Sequence, residues 1–289
     1  MFKIAILGCE NSHADSFLNG IIKEGRYPDV EVVGVYSNEP EALERMKNNF
    51  GVYCASSYDE FVGKVDGIMI TARDGANHYK YAKPYISYGI PMFIDKPITC
   101  DVAEAKEFMR ELKANGCRVT GGSTCVHAPL ITELSEFVKS TPADKVYGGF
   151  LRAPISMNNA YGGFFFYAQH LTEVMMKIFG YYPKSVVTDY HSTMTTVLVK
   201  YEDRSVCAEY IDGVYKYSAF VSTDTGVKGG EYPVTSDLYV HELDSFYKLL
   251  HGDAGRVDLK EFIAPVALIS AIEKSIRTGK EVEVEAVDI

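Results

Sequence analysis

The chain has 289 residues, enough for one large hydrophobic core or two smaller ones, and 47% of them are hydrophobic and 24% charged. This composition is typical of a globular protein and excludes the disordered and fibrous classes. The formal net charge of -10 repels nucleic-acid phosphates and anionic lipids, and no basic stripe in the sequence offsets it. We therefore expect neither nucleic acid nor a membrane as a partner.

The amino-terminal segment MFKIAILG is apolar only as far as Gly8. It does not resemble a secretory signal or a membrane span, and no other apolar run approaches the roughly 18 residues that a bilayer requires. We expect a cytoplasmic protein. The six cysteines are scattered with no C-x-x-C pair, so we expect buried thiols, with neither a disulfide framework nor a metal site.

The first part of the chain, residues 1–122, alternates short apolar runs with amphipathic segments. The predicted strands are FKIAILG, EVVGVYS, DGIMITA, PMFID and CRVTGG. Helices are predicted after Asn11 or Ser12 with the apolar face Phe17, Leu18, Ile21 and Ile22, after Glu39-Pro40, from about Asn77 to Tyr88, and over DVAEAKEFMRELKANG. Buried strands linked by helices pack as right-handed crossovers, so these residues predict an α/β dinucleotide-binding domain with a doubly wound parallel sheet, the Rossmann fold.

The second part, residues 123–289, is predicted to be an α+β domain for substrate binding and oligomerisation. After the helix APLITELSEFVKS, the predicted strands are KVYGGFLRAP, KSVVTDYH, TMTTVLVKYED, SVCAEYID and YKYSAFVST, with a helix from about Phe164 to Phe179 ending at Gly180. Two more helices, LYVHELDSFYKLLHG and LKEFIAPVALISAIEKSIRTG, and a short strand EVEVEAV follow, and the carboxy-terminal helix could pack back on the first domain. Short turns between strands indicate a large, mainly antiparallel open sheet, whose exposed face we expect to form a homodimer or homotetramer.

Several of these segments occur in the order and spacing of a known family. The strand and turn at IAILG, the segment EVVGVYSNEPE, the strand DGIMITA with His78 after it, GIPMFIDKPIT, the helix around His170 and the terminal SIRTGKEVEV together resemble the Gfo/Idh/MocA family of NAD(P)-dependent sugar and polyol oxidoreductases. The most specific of these is F-I-D-K-P, which is similar to the family's E-K-P signature with Asp95 in place of Glu. The resemblance implies a hydride transfer between a nicotinamide and a sugar, polyol or related hydroxy compound.

Lys96 is the first candidate catalytic residue. It directly follows the carboxyl end of a predicted parallel strand, where ligands bind in open α/β sheets, and Pro97 holds its backbone out of helical geometry. A lysine in this place can hydrogen-bond a substrate hydroxyl and move its proton. The alternative is a solvated surface lysine before a turn.

The helix YGGFFFYAQHLTEVMMKIFG resembles the family's G-G-x-x-x-D-x-G-x-H-x-x-D segment, with His170 and Glu173 in matching positions. Phe166 stands where the family has its first Asp, and Ala168 replaces the following Gly. Helical spacing places Phe166, His170 and Glu173 on one face, where His170 and Glu173 could be hydrogen-bonded neighbours. The alternative is a core helix in which His170 is a satisfied buried histidine.

In the family, the Asp, the Lys and the His together bind the reacting hydroxyl and move its proton. Without the Asp, the resemblance assigns that role to Lys96 and His170, with possible help from Tyr167. The expected substrate residues are Lys96, Arg152, Asn158, Tyr161, Phe166, His170 and Glu173. For the polar loop members among them, an ordinary solvated loop is the alternative.

The turn GCENSH departs from the dinucleotide fingerprint. Gly8 supplies the glycine of the tight turn, but Glu10 and His13 replace the other two glycines. A carboxylate at Glu10 is unfavourable beside two phosphates unless its side chain turns away, and His13 would widen the gap between helix and strand or point into the cleft. We expect weakened dinucleotide binding; the alternative is a fold that has lost the cofactor.

The choice between NAD and NADP stays open. Ser37 and Asn38 follow the second strand, so the acid that accepts the ribose diol is missing, and no arginine follows to hold a 2'-phosphate. Arg73 takes the place of a proline common in the family. The expected cofactor-binding residues are Gly8, Cys9, Glu10, Asn11, Ser12, His13, Ser37, Asn38, Thr71, Ala72, Arg73, His78, Asp95, Lys96 and Pro97.

The preferred interpretation is thus an NAD(P)-dependent oxidoreductase with a small polyhydroxyl substrate. A non-catalytic ligand-binding or regulatory protein on the same fold is the first alternative, because Glu10, His13 and Phe166 all depart from the family pattern. A redox-neutral glycosidase that uses a retained NAD is the second.

Overall fold

The computed structural model describes residues 1–256 and 258–289. Through residue 122 the strands are β1 (Phe2–Leu7), β2 (Val30–Tyr36), β3 (Gly67–Ile70), β4 (Met92–Asp95) and β5 (Val119–Gly122), and the helices are α1 (Ser12–Leu18), α2 (Pro40–Phe50), α3 (His78–Ile86) and α4 (Val102–Ala114). Then follow α5 (Pro129–Ser140), β6 (Val146–Ile155), α6 (Phe165–Phe179), β7 (Ser185–His191), β8 (Met194–Lys200), β9 (Ser205–Asp212), β10 (Tyr217–Thr223), β11 (Gly226–Tyr232), α7 (Tyr239–Leu250), α8 (Lys260–Thr278) and β12 (Val282–Glu283). Across these residues no helix combines the length and the apolar character needed to cross a membrane.

The chain forms two compact units. The first comprises Met1–Gly122, Tyr239–Leu259 and Ile289, and the second comprises Ser123–Leu238 and Lys260–Asp288. Helix α7 therefore belongs with the first unit, where Leu243 and Phe246 join a core that also contains Phe17 and Phe93. The apolar face of α7 explains this placement, because it packs against α1.

The first unit contains a parallel sheet with the strand order β2-β1-β3-β4-β5. The predicted doubly wound Rossmann sheet is confirmed. Because parallel strands end at one edge, the residues that follow β1, β2, β3 and β4 lie at a common edge of the sheet. The strand order reverses between β1 and β3, which is the place where open α/β sheets bind ligands.

The predicted apolar face of the first helix is correct for three residues and wrong for the fourth. Phe17, Leu18 and Ile21 are buried, whereas Ile22 is 41% exposed. The cause is a change of helix type: α1 ends at Leu18 and continues as a single π-helical stretch, Asn19–Lys23. The wider π turn shifts the angular position of later side chains, so the 3.6-residue period no longer applies.

The second unit contains a sheet with the order β11-β10-β6-β9-β8-β7-β12. Strands β6 and β9 run parallel and all the other pairings described for this sheet are antiparallel, which confirms the expected mainly antiparallel sheet. Strand β11, of sequence GVKGGEY, was not among the predicted strands because glycine lowers strand propensity. A Cβ at Gly229 would lie 2.1 Å from the carbonyl oxygen of Ala219, so the close pairing of β10 and β11 requires glycine there.

The cysteines are free thiols. Cys9, Cys117 and Cys125 are buried, but Cys54, Cys100 and Cys207 are partly exposed. The expectation of buried thiols is therefore correct for the first three and wrong for the others: Cys54 and Cys100 lie between the named elements, and Cys207 lies on the partly exposed face of β9.

Candidate active site

The turn after β1 keeps the one glycine that its backbone requires. Gly8 has φ +87, and a Cβ there would lie 2.3 Å from the backbone of Ala72. Its N–H donates to the carbonyl oxygen of Tyr36 at 2.7 Å, and its own carbonyl accepts from the Thr71 hydroxyl at 2.7 Å. Any larger residue would clash with Ala72 and strain the backbone, so only glycine fits this position of the turn.

Asn11 caps α1, which decides between the two predicted caps. Its Oδ1 accepts from the N–H of His13 at 2.9 Å and from the N–H of Ala14 at 3.4 Å. Its Nδ2 donates to the carbonyl oxygen of Thr71 at 2.7 Å. The cap thus orients α1 and also joins the turn to the end of β3.

Glu10 is buried, with 4% of its surface exposed, and its side chain turns along the edge of the sheet. Its Oε2 accepts from the Ser37 hydroxyl at 2.8 Å, and its Oε1 accepts from the N–H of Arg73 at 2.9 Å. The Arg73 guanidinium also donates to the carbonyl oxygen of Glu10. Two donors therefore hold the carboxylate at the ends of β2 and β3.

His13 lies in the place of the third fingerprint glycine, and its ring points towards the end of β4. Its Nδ1 is 2.7 Å from Oδ2 of Asp95, a carboxylate with no exposed surface. The ring packs against Tyr239 with centroids 4.7 Å apart and against Phe17. Oδ1 of Asp95 accepts from the N–H of Lys96 at 2.7 Å, so the carboxylate is held by His13 and by the backbone of Lys96.

Two buried titratable groups flank Lys96. Burial alone would raise the pKa of Asp95, but the charge of His13, the hydrogen bond from it and the charge of Lys96 hold that pKa well below its usual range. Burial lowers the pKa of His78, whose Nε2 lies 2.9 Å from the carbonyl oxygen of Ala72. Because a carbonyl oxygen only accepts, Nε2 of the neutral His78 ring carries the proton.

Lys96 is not a solvated surface lysine. Only 7% of its surface is exposed, directly after the end of β4. The peptide bond to Pro97 is cis. Gly75 packs so closely on Pro97 that a Cβ there would lie 2.5 Å from the proline ring, which fixes the loop after β3 against this segment. Lys96 is therefore a buried lysine held at the end of a parallel strand.

In the second unit, the side chains of α6 meet Ser123, the residue that follows β5. Nδ1 of His170 lies 2.7 Å from Oγ of Ser123 and 3.4 Å from Sγ of Cys125. The buried carboxylate of Glu173 accepts from the N–H of Ser123 at 2.7 Å and from the amide of Gln169 at 3.1 Å. His170 and Glu173 thus share Ser123 as a hydrogen-bond partner.

Ser123 engages Nδ1 of His170. Oγ of Ser123 also accepts from the N–H of Cys125 at 3.2 Å. Because this oxygen has a second lone pair as well as its own proton, it can either donate to Nδ1 or accept from it. Neither Ser123 nor Cys125 was a predicted site residue, although the position directly after a parallel strand is a signal that could have identified Ser123.

An aromatic group adjoins His170. The ring of Tyr167 lies edge-on to His170 with centroids 4.9 Å apart, and burial raises the pKa of Tyr167 to about 12, so its phenol stays protonated at neutral pH. Phe166 is partly exposed and contacts Tyr161 at 5.3 Å and Tyr167 at 5.6 Å between ring centroids. At the position where the family has an Asp, this chain therefore has an aromatic side chain that packs against two tyrosines.

Two further predicted substrate residues are Arg152 and Asn158. Arg152 lies in β6 with its guanidinium 3.7 Å from the carboxylate of Glu209 on β9. Asn158 is exposed in the segment that follows β6. Of the two residues predicted to follow the second strand at the cofactor site, Asn38 is exposed and Ser37 is buried.

Comparison with known families identifies the first part of the chain. Residues 2–123 match the family model GFO_IDH_MocA, described as an oxidoreductase family with an NAD-binding Rossmann fold. Comparison with curated proteins finds no match.

Solved structures match over nearly the whole chain. Myo-inositol 2-dehydrogenase from Lactobacillus plantarum has a TM-score of 0.84 at 13% identity, covering 98% of this chain and 99% of that one. Apo scyllo-inositol dehydrogenase from Lactobacillus casei has a TM-score of 0.84 at 12% identity, covering 99% of each. The WlbA dehydrogenase from Bordetella pertussis in complex with NADH and UDP-GlcNAcA has a TM-score of 0.81 at 15% identity, covering 99% of each. At these identities the likeness shows the fold. The family match supports the resemblance seen in the motifs: residues 2–123 match the NAD-binding Rossmann domain of the Gfo/Idh/MocA oxidoreductase family.

Proposed function

We propose that the protein is an NAD(P)-dependent oxidoreductase that transfers a hydride between the nicotinamide and a sugar, polyol or related hydroxy compound. The observation that carries this proposal is the buried Lys96 at the carboxyl end of β4, directly after the ionised Asp95. Its support is the match of residues 2–123 to an NAD-binding oxidoreductase family. Inositol dehydrogenases among the solved structures of the same fold make cyclic polyols the first substrates to test.

The residues of the turn fit a dinucleotide. Gly8 keeps the tight turn, and Asn11 holds α1 in register with the end of β3. The side chains that replace the two glycines are both held by other residues of the protein. Glu10 is hydrogen-bonded to Ser37 and Arg73, and His13 contacts Asp95. When bound, the nicotinamide supplies the centre that accepts or donates the hydride.

The protein's own residues bind the substrate hydroxyl and move its proton. Lys96 donates a hydrogen bond to that oxygen and exchanges a proton with it as the hydride moves. The family pattern assigns the same hydroxyl to His170, and because Nδ1 of this ring is engaged by Ser123, we assign Nε2 to the substrate. Tyr167 is a protonated phenol beside His170 and acts as a further donor.

The first test is calorimetric titration of the ligand-free protein with NAD, NADH, NADP and NADPH, followed by a screen of inositols and sugars. Micromolar or tighter binding with net turnover is the expected result. Tight retention of a cofactor without net turnover would instead indicate the redox-neutral glycosidase. Absence of binding by all four dinucleotides would contradict the proposal and favour a regulatory protein.

Substitution of the two proposed proton-transfer residues tests the mechanism. Lys96→Ala and His170→Ala should each lower kcat by roughly 10²-fold or more with the circular dichroism spectrum unchanged. Lys64→Ala and His191→Ala serve as matched controls, because both side chains are exposed. Full activity of both site variants on a genuine substrate would refute the proton pathway.

The homodimer or homotetramer stays a prediction. It is supported by large apolar side chains exposed on the strands of the second sheet, namely Tyr147, Tyr190, Leu198 and Val227. Light scattering that finds a monodisperse monomer would contradict it.

We also propose a cytoplasmic location. It is supported by the free cysteines, since reduced thiols are the norm in the cytoplasm. Cell fractionation tests the location.

A further inference from the structure

The end of β2 lacks its usual acid, yet a carboxylate lies there. In dinucleotide-binding folds an acidic residue at this point accepts hydrogen bonds from the adenosine ribose. Here the position is Ser37, and its hydroxyl donates to Oε2 of Glu10 at 2.8 Å. Oγ of Ser37 in turn accepts from the N–H of Glu39 at 3.0 Å, which directs the hydroxyl proton towards Glu10. The carboxylate missing from β2 is thus supplied from the turn after β1.

This carboxylate is firmly held. The N–H of Arg73 donates to Oε1 at 2.9 Å, and the guanidinium of Arg73 donates to the carbonyl oxygen of the same Glu10. Each carboxylate oxygen accepts one of these side-chain or backbone hydrogen bonds, from Ser37 or from Arg73. Each oxygen therefore keeps a lone pair that can accept another hydrogen bond. A neighbouring diol has the two hydroxyls that such a pair of oxygens binds.

The arginines nearest the turn are engaged with other acceptors. Arg45 donates to the carbonyl oxygen of Cys9 at 2.8 Å and lies 3.2 Å from the carboxylate of Asp15. The guanidinium of Arg73 is bound to the Glu10 carbonyl. A 2'-phosphate that entered here would meet the Glu10 carboxylate, and the repulsion between the two negative charges is unfavourable.

We propose that Glu10 is the residue that binds the adenosine ribose diol and that it makes the protein selective for NAD(H) over NADP(H). The inference rests on the proposed cofactor binding. The carboxylate accepts from the 2'- and 3'-hydroxyls while Ser37 and Arg73 hold it in place, and its charge repels a 2'-phosphate. Glu10 thus replaces the second glycine of the fingerprint, and its carboxylate takes over the role of the acid that is missing at the end of β2.

The experiment is calorimetric titration with NADH and NADPH of the full chain and of Glu10→Gln, with Glu41→Gln as control because Glu41 is an exposed acid of α2. We expect the wild type and the control to bind NADH at least about 10-fold more tightly than NADPH. Glu10→Gln should weaken NADH binding by about 10- to 100-fold, the range expected for hydrogen bonds to a charged group, and remove the preference.

A second pair of variants keeps the test decisive if Glu10→Gln unfolds. Glu10→Gly restores a fingerprint glycine and should bind both dinucleotides without preference, and Glu10→Gly with Ser37→Asp should recover the NADH preference by returning the acid to β2. Tighter binding of both dinucleotides by Glu10→Gly, or a wild type without preference, would overturn the inference and show that Glu10 obstructs the site, while cofactor binding itself would stand. If neither the wild type nor Glu10→Gly binds any dinucleotide, the proposed function fails and the inference fails with it.

Discussion

His13→Ala should destabilise the protein through Asp95. Nδ1 of His13 lies 2.7 Å from a carboxylate that has no exposed surface, so the substitution leaves a buried charge without its nearest partner. Removal of one member of a buried ion pair costs about 3–5 kcal/mol. Because the backbone N–H and the charge of Lys96 remain beside Asp95, we expect the lower end of that range, about 3 kcal/mol.

The assay is urea denaturation followed by circular dichroism and tyrosine fluorescence, since the chain contains no tryptophan. Asp95→Asn and the double variant complete a thermodynamic cycle. We expect the double variant to be clearly less destabilised than the sum of the single ones, with a coupling free energy of about 2 kcal/mol. A loss below about 1 kcal/mol for His13→Ala, with no coupling, would refute the view that the pair stabilises the end of β4.

The same pair predicts a pH dependence. The folded-state pKa of Asp95 is lowered, so its contribution is fully present above the ordinary value of about 3.9 and is lost as the pH falls through the lowered value. The stability difference between wild type and Asp95→Asn should therefore shrink as the pH falls below about 4. A difference that instead grows on acidification would show the sign to be wrong.

The remaining predictions concern three further positions. Ser123→Ala removes the hydroxyl 2.7 Å from Nδ1 of His170 and should lower kcat by about 2- to 10-fold and shift the pH-rate profile, while Ser123→Thr should restore both; an unchanged profile would refute a positioning role for Ser123. Gly8→Ala places a Cβ 2.3 Å from the backbone of Ala72 and should cost more than about 2 kcal/mol in thermal unfolding, so an unchanged melting temperature would contradict the close approach. Phe166→Asp should cost less than about 1 kcal/mol because that side chain is partly exposed and its carboxylate keeps contact with water; a loss of several kcal/mol would mean that the aromatic contacts dominate.

Local patterns determined most of the secondary structure and the family. Periodicity and turn residues predicted the parallel sheet and its helices, and the F-I-D-K-P motif with Gly8 indicated the family, because each of these signals lies within a few consecutive residues. The same local signals failed where geometry changed within an element. The π turn after Leu18 exposed Ile22, and the glycines of β11 concealed a strand.

The chemistry of the site was decided by contacts between distant residues. Whether Glu10 faces the phosphates or the sheet edge depends on Ser37 and Arg73, which are 27 and 63 residues away in the chain. The partner of His170 is Ser123, 47 residues earlier, and no spacing rule within a helix could point to it. From the sequence alone, therefore, the site residues could be placed at the strand ends and on the helix. The direction of each polar side chain depends on donors that only the folded chain brings within hydrogen-bond distance.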